Sequence, residues 1–405
     1  MENPEASLVK IAYIAPFGIR PKGTVIARMV PLAAELVKQG HVVKIVAPPY
    51  TNPEDSGKVE TVQGVTIQNV TLWPGHKAIA ALPIAMQLFK SIQQFQPDII
   101  HLFKPKGYGG LAAMMHLLLQ RAGFKRPPLI VDSDDWEGNG GMNDLRSYSG
   151  AEKKFYRFQG HWLLSNAAGI TVASRELKNL IATSGTDRRR VMYLPNGVTD
   201  APQAEAANVR KRLGIADSEH VVVLYTRYFE FSQKRLHAVF CDIYHQIPDV
   251  RFLIIGAGRE NEEEQLKEAA TIGGFLPALV FAGWVDPLQL PSYLAVGDIA
   301  LYPLDNTLVN RCKCPAKLTE LLQAGVPVVA DRVGQANEYI RHNETGFLCD
   351  PENRLEMVRQ AVTLLRDREM RCRIGQAGRT YMLEHYHWSG LVNNLSHFYE
   401  ESLHS

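Results

Sequence analysis

Cysteine is scarce in this chain. Five residues in 405 are cysteine, at 241, 312, 314, 349 and 372. An odd number without regular spacing makes no disulfide framework. Cys312-x-Cys314 has no second ligand pair at zinc spacing, so free thiols are expected and no metal. Long apolar runs are also missing. The longest, 108–120 and 78–89, fall short of the ~20 residues that cross a bilayer. Met1–Lys10 is polar and lacks the apolar core of a secretory signal. These absences predict a cytoplasmic protein with reduced thiols and no membrane span. Charge of one sign is lacking as well: the formal net charge is +2. With no base-reading motif, that near-neutrality argues against a nucleic-acid role. An apolar content of 46% with 21% charged residues excludes disorder and a fibre.

The near-neutral total hides an asymmetry. Residues 1–200 hold 23 Lys and Arg against 16 Asp and Glu, while residues 201–405 hold 21 against 26. A basic first half suits an anionic partner such as a lipid surface or a phosphorylated acceptor, and equally an ordinary solvated surface. Two stretches with cations and aromatics, Lys104-Pro-Lys106-Gly-Tyr108 and Lys153-Lys154-Phe-Tyr-Arg157, are the candidates for peripheral contact with lipid head groups.

Strand-like and helix-like segments alternate along both halves. Val9–Pro16 is almost continuously apolar, as a strand buried on both faces should be. A turn, Phe17-Gly18-Ile19-Arg20-Pro21-Lys22-Gly23, leads to Thr24–Lys38, where Val25, Met29, Leu32 and Leu36 share a helical face. Gly40 ends that helix and His41–Ala47 is the next strand. The succession is one βαβ unit of a parallel sheet, and strands continue at 98–102, 128–132 and 169–173. Leu194-Pro-Asn-Gly197 then makes a turn, and Thr199–Asn208 has the composition of a linker. Alternation restarts at 221–225 and continues at 250–255, 279–282, 299–302 and 326–330. The expectation is α/β: two facing Rossmann-like domains, 1–198 and 199–385, with a cleft between them. Residues 386–405 form a C-terminal helix suited to pack back on the first domain.

The strongest local signal runs from Asn310 to Gly325. Pro315 fits the first turn of a helix and Gly325 its stop. The amides and positive dipole end of that helix, with Arg311, Lys313 and Lys317 around it, suit a diphosphate. Glu320, one turn inward, suits ribose or sugar hydroxyls. A capped helix with solvated lysines explains the same residues without a ligand. Arg227 and Lys234 bracket a loop after the first strand of the second half, and two fixed cations would stabilise a departing diphosphate. A surface salt bridge is the other explanation for that pair. Gly256-Ala-Gly258 after a strand is a weak nucleotide hint. Asp132-Ser-Asp134-Asp135-Trp-Glu137 is an acidic cluster at a strand end, suited to hydrogen-bond acceptor hydroxyls, to cap a loop, or, through Asp132-x-Asp134, to hold a divalent cation, which the placing of the donor features in the other half argues against. His101 at the end of Asp98–Leu102 joins that acceptor side, or is structural.

Together these residues resemble the family 4 glycosyltransferases, retaining enzymes of the GT-B fold. The resemblance rests on the opening strand–Gly turn–helix, Leu-Pro-Asn-Gly-Val at 194–198, Arg227 with Lys234, and above all KLTELLQAGVPVVADRVGQANEYIRHNETGFL from Lys317 to Leu348. It implies transfer of a sugar from a UDP- or GDP-linked donor to a carbohydrate, lipid-linked or small-molecule hydroxyl acceptor, without cofactor or metal. Arg227 and Lys234 would then bind the diphosphate, and Asp134 would act at the catalytic centre where many members place a histidine. Gly18, Gly23, Lys313, Pro315, Lys317, Leu318, Glu320 and Glu338 would line the donor, and His101, Asp132 and Asp135 the acceptor. The chain departs from the pattern at Cys312, eight residues before Glu320, where members often carry a second glutamate. Cys312 and Asp134, in place of two family residues, keep open a non-catalytic sugar-nucleotide-binding protein, and the shared two-domain architecture keeps open a sugar-nucleotide epimerase.

Overall fold

The computed structural model describes residues 8–20, 23–75, 77–183, 190–201 and 204–404. Pro21 and Lys22 of the first turn, and Pro202 and Gln203 of the linker, lie outside the described residues, as do residues 1–7. The chain divides into two compact units. The first takes residues up to Asn196 together with Cys312–Cys314 and the segment from Trp388, and the second takes Gly197–Arg311 and Pro315–His387.

The first unit is built on an eight-stranded sheet. Its strands are β1 Lys10–Ile14, β2 Val42–Ala47, β3 Val59–Val62, β4 Val65–Asn69, β5 Ile99–Phe103, β6 Leu129–Ser133, β7 Gly169–Val172 and β8 Val191–Tyr193. They lie in the order β3-β4-β2-β1-β5-β6-β7-β8. All pairs are parallel except β3 with β4. Strands β5, β6 and β7 are buried at every residue, which is why they read as continuous apolar runs. From β1 the chain builds outward through β2 on one side and β5 on the other. The carboxyl ends of β1 and β5 therefore form the switch point at which open α/β sheets bind ligands.

The predicted helix 24–38 opens differently from a regular α-helix. Val25–Met29 is a single π-helical turn, and the α-helix proper runs Val30–Lys38. The hairpin β3–β4 was not apparent from composition. Its two-residue loop, Gln63-Gly64, has positive φ at both positions (50° and 79°), the geometry of the primed turn that hairpins favour. Glutamine at the first of those positions hides the usual Asn-Gly signal. The C-terminal helix Trp388–Leu403 is grouped with this unit, burying Trp388, Leu391, Val392, Leu395 and Tyr399. Gln39 Nε2 donates to Asn393 Oδ1 (2.6 Å) beside it.

The second unit is a six-stranded parallel sheet of β9 His220–Tyr225, β10 Val250–Ile255, β11 Leu279–Gly283, β12 Ile299–Tyr302, β13 Val328–Asp331 and β14 Phe347–Cys349. The order is β11-β10-β9-β12-β13-β14, so its switch point falls between β9 and β12. The expected helix after Pro315 spans Ala316–Gln323, with Pro315 as its N-cap residue. Gly325 (φ +74°) follows it, in the left-handed conformation that ends helices. Strand β13 starts two residues later than the apolar run 326–330 suggests. Val198 and His387 form a parallel bridge, and the Val198 amide donates to the Tyr386 carbonyl (2.9 Å). Both residues before Trp388 thus stay with this unit. Among the described residues no helix is long and apolar enough to cross a membrane.

Candidate functional site

In the second unit, the first strand of the sheet and the helix Ala316–Gln323 bring a compact group together. Tyr225, the last residue of β9, donates its phenol to Glu320. Burial, and then the charge and hydrogen bond of Glu320, push that phenol's pKa up, while nearby Arg227 opposes the shift. The phenol therefore stays protonated and its donor is fixed on Glu320. Lys317 Nζ sits 5.4 Å from the centre of the Tyr225 ring and 3.9 Å from Glu230 Oε1. Arg227 is half-buried and, among the described residues, makes no ion pair. The residue after it, Tyr228, is buried with φ +66°, a conformation that costs a non-glycine residue roughly 1–3 kcal/mol and clusters at functional loops. Its amide is held by Thr226 Oγ1 (2.7 Å).

Lys234 sits on the helix that follows this loop. It is exposed at the second position of the helix Gln233–Gln246 and lines a groove with His237, Gln265, Glu268 and Ile272. Its neighbour Arg235 is instead locked inward. Arg235 Nη2 lies 2.5 Å from the fully buried Asp331 Oδ2, Nη1 donates to Asp331 Oδ1 (3.0 Å), and Nη1 also reaches the Pro351 carbonyl (2.9 Å). Tyr225, Glu230 and Arg235 were not singled out from the sequence. The Lys-Arg doublet at 234–235 was the one available signal.

The remaining donor candidates separate. Leu318 is corrected: it is a core residue with no exposed surface, and its amide donates to the Pro315 carbonyl (3.1 Å). Glu338 lies half-buried in the short helix Ala336–Tyr339, where its carbonyl accepts the Tyr386 hydroxyl (2.8 Å). Gly334 (φ +52°) precedes it, and a Cβ there would come 2.6 Å from the Asn310 carbonyl. The turn Gly256-Ala-Gly258 is occupied by the chain itself. The Gly258 amide donates to Glu263 Oε1 (2.6 Å), and the Arg259 amide to Glu262 Oε2 (2.8 Å).

Lys313 belongs with the first unit. There Ser174 Oγ donates to the Cys312 carbonyl (2.7 Å), and the Asn196 amide meets Cys314 Sγ (3.2 Å). Cys312 is fully buried, so its thiol does not take the place of a sugar-binding carboxylate. Gly18 is set by packing: a Cβ would fall 1.7 Å from Asn52 Oδ1. The Gly23 carbonyl accepts from the Ala27 amide (2.9 Å) at the start of the π turn.

The acidic cluster of the first unit splits into two halves. Asp132 is fully buried and corrected from the acceptor list. Arg28 Nε and Nη2 grip its two oxygens (2.9 and 2.7 Å), and Thr171 Oγ1 adds a 2.5 Å bond. Asp134 and Asp135 share Lys104 Nζ, at 2.6 Å from each. Thr24 Oγ1 donates to Asp134 Oδ2 (3.0 Å). Burial pushes the Asp134 carboxyl up, against the pull of Lys104. Desolvation pushes the half-buried Asp135 up as well, yet Lys104, Lys313 and Lys106 hold it below the usual range. Lys104 has φ +60° at the end of β5, a second strained non-glycine residue at a sheet end. The oxygens that Asp132-x-Asp134 would offer a divalent cation are thus already held by Arg28 and Lys104. Lys106 pairs with Glu137 (2.7 Å), so the stretch 104–108 does not present free cations to a lipid surface. In the second stretch Arg157 pairs with Asp144 (2.8 Å).

His101 is likewise corrected. It has no exposed surface; its ring nitrogens meet Tyr399 Oη (2.7 Å) and Thr171 Oγ1 (3.1 Å). Burial pushes its pKa down to about 3, so the folded chain keeps it neutral. Only the unfolded chain takes up the proton below about pH 6.5. The stability it contributes is therefore complete above that pH and is lost as pH falls from there toward 3. The loss is at most about 1.4 kcal/mol per pH unit for this one proton. Urea titrations should find that His101→Asn flattens the fall in stability between pH 6.5 and 4.5. An unchanged slope would refute this assignment.

Both halves of the chain resemble known protein domains. Residues 23–197 match the glycosyl transferase 4-like domain, and residues 219–367 match the glycosyl transferases group 1. The chain is 28% identical over 236 residues to a GDP-mannose-dependent alpha-(1-6)-phosphatidylinositol monomannoside mannosyltransferase of Mycobacterium tuberculosis, covering 56% of this chain and 60% of that protein. It is 25% identical over 334 residues to the sulfoquinovosyl transferase SQD2 of Arabidopsis thaliana, covering 79% of this chain and 59% of that one. The chain thus spans about three fifths of the length of these relatives. Among solved structures, HepE of Anabaena in complex with UDP-glucose aligns with a TM-score of 0.71 at 17% identity, over 97% of this chain and 100% of that one. Sucrose-phosphate synthase from Thermosynechococcus elongatus aligns at 0.71 and 16%, over 97% and 98%. Both share the fold. With two parallel α/β units and both domain patterns in order, the chain belongs to the GT-B glycosyltransferases that join a family 4-like first domain to a group 1 second domain.

Proposed function

We propose that this chain transfers a glycosyl group from a UDP- or GDP-linked sugar to a hydroxyl acceptor, with retention at the anomeric carbon. The observation that carries the proposal is the half-buried Arg227, which makes no ion pair among the described residues, beside Tyr225, Glu320 and Lys317 at the end of β9. An arginine fork there can grip a diphosphate in two places. Glu320, oriented by the Tyr225 phenol, is left to accept from ribose hydroxyls. Lys317 and the start of the helix Ala316–Gln323 add positive potential. Glu338 completes the donor contacts in this proposal, and Lys234 reaches in along its flexible stem. Charge builds on the leaving phosphate as the glycosidic bond breaks, so cations fixed around it lower the barrier. The same phosphate takes the acceptor's proton, and Asp134, steadied by Thr24 and Lys104, orients the acceptor hydroxyl. No cofactor or metal enters the proposal.

The relatives support both ends of it: one uses GDP-mannose and a phosphatidylinositol monomannoside, and a neighbour in fold binds UDP-glucose. Peripheral contact with a membrane belongs to the same proposal but rests on different residues. Ile79, Leu82 and Met86 stand exposed along the helix Lys77–Phe95, which contains no acidic residue. Sedimentation with anionic vesicles tests it.

Incubation with UDP-glucose, UDP-N-acetylglucosamine and GDP-mannose tests the activity. Release of free UDP or GDP, slow without acceptor and faster with one, is expected. Binding without release would favour the non-catalytic alternative, and conversion of the donor to its epimer the second alternative.

A further inference from the structure

Four tyrosines of the first unit converge at the carboxyl ends of the strands beside its switch point. Tyr50 follows β2, Tyr108 opens the helix Gly107–Arg121 after β5, and Tyr148 and Tyr156 come from the segment after β6. Tyr50 and Tyr108 pack edge to face with centroids 5.7 Å apart at 79°. Tyr148 and Tyr156 do the same at 5.1 Å and 68°. Lys106 Nζ lies 5.8 Å from the centre of the Tyr148 ring. The hydroxyls lie close enough to act on one another: burial, then Tyr148, Tyr108 and Tyr156, push the Tyr50 phenol up. Tyr50 nevertheless keeps 47% of its surface exposed. Among the described residues, none of the four hydroxyls bonds to protein. Exposed or half-exposed, these hydroxyls are open to bond water or a ligand.

We propose that these four tyrosines form the binding platform for a neutral saccharide, which is the acceptor of the reaction proposed above. The ring faces match the apolar C–H face of a pyranose, and the unpartnered hydroxyls match its O–H groups at the rim. A neutral ligand is favoured because the nearby cations are spent. Lys104 is held by Asp134 and Asp135, and Lys106 by Glu137, and the cations that stay exposed nearby, Arg146 and Lys154, point out to solvent-accessible surface. An alkyl chain is disfavoured because it would strip four hydroxyls of water with nothing in return. The position fits the rule that open α/β sheets bind ligands outside the carboxyl ends of strands at a switch point.

Saturation-transfer NMR with maltose, cellobiose and mannobiose tests the platform without requiring turnover. At least one disaccharide should receive magnetisation from tyrosine ring protons. Tyr108→Ala and Tyr148→Ala should each weaken that disaccharide's affinity at least tenfold. Tyr50→Phe and Tyr156→Phe, which keep the rings, should weaken it less. Calorimetric affinity for UDP or GDP should stay unchanged in all four, since the donor residues lie on other elements. No saccharide contact in the wild type, or undiminished affinity in the alanine variants, would overturn the proposal. So would binding of glucose 6-phosphate alone, which would point to Arg146 instead. Absence of UDP and GDP binding in the wild type would count against the donor assignment and leave the saccharide result standing.

Discussion

Replacing Arg227 by alanine should lower turnover of the preferred nucleotide sugar by roughly a hundred- to a thousandfold, the loss that follows removal of one fixed donor to a developing anion. The expectation rests on placement. Arg227 lies two residues beyond the end of β9, is half-buried, and among the described residues has no carboxylate to release before it can bind phosphate. The strained Tyr228 next to it, held by Thr226, fixes the backbone from which the guanidinium projects. Charge on the diphosphate grows as the bond breaks, so the loss should fall mainly on kcat and less on KM. Arg227→Lys should recover part of the rate, because a point charge remains while the fork is lost. Lys234→Ala should cost less than Arg227→Ala, since Lys234 is exposed beside Gln265 and Glu268. Steady-state kinetics of all three variants decides the matter. Equal losses for Arg227→Ala and Lys234→Ala would mean that Lys234 swings fully onto the donor, and an Arg227→Ala enzyme within threefold of wild type would refute the assignment.

The two sheets were legible because parallel strands buried on both faces leave continuous apolar runs, and β1, β5, β6, β9 and β10 all do so. The hairpin β3–β4 was not, because these two strands at the sheet margin mix polar and apolar residues and its loop begins with Gln63. On the donor side, Pro315, Lys317, Glu320 and Gly325 could be placed from helix start and stop signals. The partnership of Glu320 with Tyr225 could not, since it joins residues 95 positions apart. Burial is what sequence pattern conveys least for polar residues at strand ends. His101, Asp132 and Asp134 all end or follow apolar strands and looked equivalent. The fold buries the first two completely and leaves Asp134 and Asp135 nearer the surface. Beside Arg235, a missed residue with a usable signal was Arg28. It falls between Val25, Met29 and Leu32 on the apolar face of the helix beginning at Thr24, and a charge inside an apolar stripe needs a buried partner.

That partner makes Arg28→Ala the most destabilising single change expected in the first unit. Arg28 and Asp132 are 1% and 0% exposed and joined by two bonds of 2.9 and 2.7 Å. Arg28 also donates to the Leu194 carbonyl (2.7 Å) and to Asn196 Oδ1 (3.2 Å), tying the π turn to the end of the unit. Alanine would leave Asp132 with Thr171 alone, a buried charge without a counter-charge, at a cost of roughly 3–5 kcal/mol. In a unit of about 200 residues each kcal/mol is worth about 2–4 °C, so Tm should fall by roughly 10 °C. Replacing both partners, Arg28→Met with Asp132→Leu, should regain most of that loss, because the penalty comes from the orphaned charge and not from the missing bonds. The function follows the same connection. Thr24, which holds Asp134, borders the turn that contains Arg28. The double variant should therefore recover stability without recovering acceptor affinity. Scanning calorimetry and acceptor KM, measured on both variants, separate the two effects. A single variant that melts within 2 °C of wild type would show that water or a backbone shift satisfies Asp132 instead.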